Sequence, residues 1–77
     1  MQKNYLSEQP LRGMVMNEFA AREVVNRLNA RLTLGLFLHD GHDWDFEFTI
    51  FPNTDFLRMV GASAIKAVRQ RFNAACA

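Results

Sequence analysis

The densest run of chemically versatile side chains is His39-Asp40-Gly41-His42-Asp43-Trp44-Asp45. Imidazole and carboxylate are the donors that zinc and other transition ions take, and a tight turn can bring two or three of them together. The spacing matches no specific metal motif, and aspartate and glycine are what a turn needs for its own hydrogen bonds and dihedrals. No metal and no cofactor is therefore assigned. The histidines leave one other role open, pH sensitivity at an interface.

The candidate nucleophiles are Ser7, Ser63 and Cys76. Gly61-Ala62-Ser63-Ala64-Ile65 begins like a nucleophile elbow, but Ile65 stands where the second glycine belongs and the surrounding pattern is helical. Ser63 reads as a packing residue, and Cys76 lies beside a C-terminus expected to fray. Asp43, Asp45 and Glu47 alternate and so share one strand face. A catalytic carboxylate pair needs a cleft that drives its two pKa values apart, and an open strand face offers none. No catalytic residue is assigned, and the chain is expected not to be an enzyme.

These residues sit in a predicted β-hairpin. Leu32-Thr33-Leu34-Gly35-Leu36-Phe37-Leu38 and Trp44-Asp45-Phe46-Glu47-Phe48-Thr49-Ile50-Phe51 both alternate, and turn-forming residues separate them. Register decides what is buried. A two-residue Asp40-Gly41 turn sets Leu38, Leu36 and Leu34 against Asp43, Asp45 and Glu47. A three-residue loop, His39-Asp40-Gly41, instead places Leu36 opposite Trp44, Leu34 opposite Phe46 and Leu32 opposite Phe48, with Gly41 in the left-handed position of a bulged turn. This second register is expected. Its outer face carries Thr33, Gly35, Phe37, Asp43, Asp45, Glu47, Thr49 and Phe51, an acidic stripe with two unsatisfied aromatics.

A helix is expected before the hairpin, from about Glu18 to Arg31, with Asn17 as its N-cap. Ala21, Val24, Val25, Leu28 and Leu32 form its apolar stripe, and Glu18–Arg22 and Glu23–Arg27 are favourable pairs four residues apart. Phe19 falls on the polar side, so either the N-terminal arm covers it or it faces a partner. After Pro52, Asn53 or Thr54 caps a second helix running to about Asn73. Leu57, Val60, Gly61, Ala64, Ile65, Val68 and Phe72 make its inner face, while Arg58, Lys66 and Arg69 line a basic flank. Residues 1–16 read as an N-terminal arm, with 11–16 as a possible edge strand, because Pro10 and Gly13 interrupt any regular element. Residues 17–77 form one domain.

Composition agrees with a small folded protein. Its 77 residues are 49% hydrophobic and 22% charged, with a net charge of +1, so bulk charge points to neither nucleic acid nor a membrane surface. A single cysteine excludes an internal disulfide and fits a reducing compartment. Met1-Gln2-Lys3-Asn4-Tyr5 lacks the apolar core of a signal peptide, and no apolar run approaches the roughly 20 residues of a membrane span. A cytoplasmic location is expected.

The expected fold is α+β, ordered helix, β-hairpin, helix (α-β-β-α), with both helices on one face of a small antiparallel sheet. Its open edges invite a second copy, so a homodimer is expected. The expected function is non-enzymatic protein binding, as a stoichiometric regulator, inhibitor or adaptor of a larger partner. Phe19, Phe37, Asp43, Asp45, Glu47 and Phe51 are its candidate contact residues. The alternative is a nucleic-acid-binding regulator that uses Arg58, Lys66 and Arg69.

Overall fold

The computed structural model describes residues 4–75. In chain order the elements are β1 (Asn4–Leu6), α1 (Glu8–Ala20), α2 (Glu23–Arg27), β2 (Arg31–Asp40), β3 (Asp43–Phe51), α3 (Asp55–Arg69) and β4 (Phe72–Ala74). The fold is α+β: β2 and β3 form the antiparallel hairpin, and α1 and α3 pack together, α1 against β2 and α3 against β3. No helix among the described residues is long and apolar enough to cross a membrane.

The stretch expected to be an arm is largely helical, and the boundary expected at residue 16 falls inside α1. Pro10 is the third residue of that helix. The first four N–H groups of a helix have no partner within it, so a proline there removes no hydrogen bond. Leu11, Val15 and Phe19, four residues apart, form the buried stripe of α1. Phe19 is only 3% exposed, which removes it from the candidate partner contacts.

The single helix expected over residues 18–31 is two helices with a break at Ala21–Arg22. The Asn26 amide donates to Ala20 O at 3.0 Å, satisfying a carbonyl at the end of α1. The break re-aims the chain, and Phe19 and Val25 both enter the core. α2 closes with Asn29 at φ 50, Asn29 N–H donating to Asn26 O and Ala30 N–H donating to Val25 O at 2.9 Å. This is the Schellman arrangement of a helix C-terminus.

In the hairpin, the loop is Gly41-His42 in place of the expected His39-Asp40-Gly41, with Asp40 opposite Asp43. Gly41 has φ +62, at the first of two loop residues, where a hairpin turn of type II′ takes glycine. Near the tip His39 pairs with Trp44 and Phe37 with Phe46; near the base Leu34 pairs with Phe48 and Leu32 with Ile50. The register shifts between Leu34 and Phe37. This bulge puts Gly35 and Leu36 opposite Glu47 and reverses the alternation of β2. Leu34 and Phe37 therefore both reach the core, whereas Leu36, expected opposite Trp44, is 62% exposed. Both registers considered from sequence kept a strict period of two, which a bulge breaks.

Arg12 holds the bulge. Its guanidinium donates from Nη1 to Leu34 O at 3.2 Å and from Nη2 to Gly35 O at 2.8 Å, lies 4.9 Å from the Phe46 ring centre, and bonds Glu8 through Nε at 2.8 Å.

α3 begins at Thr54, whose hydroxyl accepts from Leu57 N–H at 3.1 Å. Leu57, Val60, Gly61, Ala64, Ile65 and Val68 are its buried face. It ends at Arg69, short of the expected Asn73, because Phe72–Ala74 pair in parallel with Asn4–Leu6. The Trp44 indole Nε1 donates to Phe72 O at 3.1 Å, Ala74 N–H to His42 O at 2.9 Å and Ala75 N–H to Leu6 O at 2.8 Å. β1 and β4 are thereby tied to each other and to the hairpin tip.

Gly61 marks the closest approach of α3 to the sheet. A Cβ there would sit 2.8 Å from Phe48 Cε2. Gly61→Val should lower stability by about 2–3 kcal/mol, seen as a reduced urea midpoint. Gly61→Ala should lose less, because the ring edge can turn aside and alanine recovers roughly 1 kcal/mol of helix propensity. A valine variant as stable as the parent would contradict this packing.

Candidate functional site

The histidine and aspartate run at the hairpin tip is occupied by structural contacts. His42 Nδ1 donates to Ala74 O at 3.2 Å and its ring meets Tyr5 edge-on at 4.7 Å. His39 stacks on Phe37 at 5.5 Å. Among the described residues no group of three or more His, Cys, Asp or Glu could hold a metal ion. Ser63 is exposed on α3, and Cys76 lies outside the described residues.

Among the described residues, the outer face of the hairpin is exposed along its length, at Thr33, Leu36, Leu38, Asp45, Glu47, Thr49 and Phe51. Phe37, expected there, is instead half-buried on the core side against Trp44 and Phe46, so it is not available as a contact residue. The face carries Leu36, Leu38 and Phe51, which are 62%, 43% and 69% exposed, beside Asp45, Glu47, Thr33 and Thr49. Leu36 and Leu38 escaped sequence reasoning because the alternation was carried straight through Gly35. A glycine inside a strand is itself a bulge signal, and it could have exposed both leucines.

The acids on this side differ in their bonding. Asp43 pairs with Arg69 at 3.0 Å, joining the end of α3 to the hairpin tip. Among the described residues Glu8, Glu18, Glu23 and Asp55 also take ion pairs, whereas Asp40, Asp45 and Glu47 take none. Among the described residues, the carboxylate side chains that take no ion pair all lie in the hairpin. Of the three candidate phosphate contacts, Arg58 pairs with Asp55 and Arg69 with Asp43, leaving Lys66 without an ion pair among the described residues.

The two sheet edges are guarded at specific points. On β2, Arg12 holds Leu34 O and Gly35 O. On β3, the Asp43 carboxylate accepts from Trp44 N–H at 3.0 Å and the Asp45 carboxylate accepts from Phe46 N–H at 2.8 Å. Beside the β3 edge runs a groove of about 510 Å³, lined by the apolar side chains of Phe48 and Ile65 and by the charged side chains of Asp43, Asp45, Lys66 and Arg69.

Compared with known proteins, the chain matches no family model, no curated protein and no solved structure.

Proposed function

We propose that this chain is a small non-enzymatic protein-binding module of the cytoplasm, a stoichiometric regulator, inhibitor or adaptor that acts by covering a surface of a larger protein. The observation that carries the reading is the exposed outer face of the hairpin, where Leu36, Leu38 and Phe51 stand beside the carboxylates of Asp45 and Glu47, which take no ion pair among the described residues. Scattered exposed apolar residues are ordinary, but here they share one face of a sheet whose other face holds the core. Apolar contact supplies affinity, while the carboxylates speed and orient the approach of a basic partner, so binding weakens as salt rises.

The nucleic-acid reading is weaker, because Arg58 and Arg69 are already paired with carboxylates and the acidic face repels phosphate. The open edge of β2 keeps a homodimer of paired hairpins as the expectation for the isolated chain, and pairing there would displace Arg12 from Leu34 O and Gly35 O. Sedimentation across micromolar concentrations tests it: dimer is expected, and monomer throughout would overturn it.

The direct test compares the parent chain with the double variant Leu36→Lys, Glu47→Lys in affinity capture from the cell that makes it, after circular dichroism has shown both to be folded. A partner held by the parent and lost by the variant is expected. Recovery of the same partner by both would overturn the assignment.

A further inference from the structure

On the side of β3 away from β2, the Trp44 and Phe46 amides are held by the neighbouring carboxylates beside a groove, and we propose that this groove accepts a single extended peptide, which replaces those carboxylates and adds to β3 as a third strand. The site shares Asp45 with the outer face but none of Leu36, Leu38 and Phe51, so substitutions at Ala62 and at Leu36 test the two separately.

The hairpin geometry identifies the donors. Asp40 and Asp43 close a two-residue loop and exchange backbone hydrogen bonds across it, so Trp44 and Phe46 turn their N–H groups away from β2, and the alternation continues to Phe48. At Trp44 and Phe46 those N–H groups are bonded by the Asp43 and Asp45 carboxylates at 3.0 and 2.8 Å, the places that carbonyl oxygens of an added strand would take. Asp45 makes no ion pair among the described residues, so it can swing off its amide without breaking one.

The groove selects the occupant. Its volume of about 510 Å³ lies within the usual range for binding clefts of roughly 300–1,000 Å³. α3 supplies Ile65 and Lys66 on one side, and β4 supplies Phe72 and Asn73 at the end. A strand running about 4.8 Å from β3 fits between these walls, whereas a second copy would bring its own α3 against them. Alternate side chains of the peptide would rest on Phe48 and Ile65 and should be apolar. An acidic residue on the α3 side of the strand, away from Asp43 and Asp45, would meet Lys66, which is exposed and takes no ion pair among the described residues.

The test uses the full chain. An array of octapeptides with isoleucine or valine at alternate positions and one glutamate supplies the probe, and the strongest binder is titrated into ¹⁵N-labelled protein. The Trp44 and Phe46 amide resonances should shift most. N-methylation of alternate peptide amides should weaken binding at least tenfold. Ala62→Trp, at an exposed α3 position lining the groove, should also weaken it at least tenfold while the fold and outer-face binding persist. The proposal is overturned if no octapeptide shifts these amides at millimolar concentration, which would make the carboxylates guards of the edge. It is also overturned if the shifts fall on Leu36 and Leu38, if N-methylation has no effect, or if the edge amides shift through self-association alone.

Discussion

Trp44→Ala should cost about 3–5 kcal/mol and leave the chain barely folded at 25 °C. A 77-residue domain has on the order of 4–12 kcal/mol of stability in total, so one such loss takes a large share of it. Trp44 is 3% exposed and packs against Phe37 and Phe46, with ring centres 6.4 and 5.6 Å away. Removing the indole leaves a cavity in the inner face of the hairpin. It also leaves Phe72 O without the Nε1 donor that ties β4 to the sheet. Trp44→Phe separates these contributions: it keeps most of the packing, loses the donor, and should cost about 1–2 kcal/mol. In that variant the Ala75 amide, bonded to Leu6 O, should exchange hydrogen faster while amides of the hairpin base stay protected. Urea titration followed by far-ultraviolet circular dichroism gives the energies, and a Trp44→Ala loss under 1 kcal/mol would contradict the packing described.

Replacing Arg12 by methionine should cost about 2–3 kcal/mol, large for a side chain that is 26% exposed. The guanidinium satisfies two carbonyls at the bulge and lies over the Phe46 ring, and hydrogen bonds from a charged donor contribute about 1.5–3 kcal/mol each when shielded from water. Partial exposure reduces that sum. Methionine keeps the aliphatic packing, so the loss isolates the polar contacts. Arg12→Lys should recover less than half, because one ammonium cannot fork between Leu34 O and Gly35 O. Equal stability of the lysine variant and the parent would show that charge, and not the fork, is what matters.

The hairpin, the α+β class, the Thr54 cap and the inner face of α3 were legible because each is written in a local period or a local hydrogen bond. The ion pairs Glu18–Arg22 and Glu23–Arg27 form at 3.7 and 2.5 Å for the same reason. What escaped was nonlocal. The bulge at Gly35–Leu36 is held by Arg12 from another element, and no period within β2 announces that donor. Phe72 continues the spacing of α3, yet it is drawn into a strand by Asn4–Leu6 at the far end of the chain. Phe19 looked unsatisfied only on a helix that ran without a break; ending α1 at Ala20 puts it in line with Leu11 and Val15. The candidate site changed accordingly: Phe19 and Phe37 belong to the core, Asp43 is tied to Arg69, and Leu36 and Leu38 join Asp45, Glu47 and Phe51 on the exposed face.

Hydroxyl-radical footprinting of the free chain and of the chain bound to its captured partner tests the proposed docking face most directly. Phe56 and Met59, exposed on α3, serve as an internal control of comparable accessibility. The outer-face reading predicts that oxidation of Leu36, Leu38 and Phe51 falls severalfold in the complex while Phe56 and Met59 react as before. Protection of Phe56 and Met59 with Leu36, Leu38 and Phe51 unchanged would place the partner on the opposite side of the molecule and contradict it.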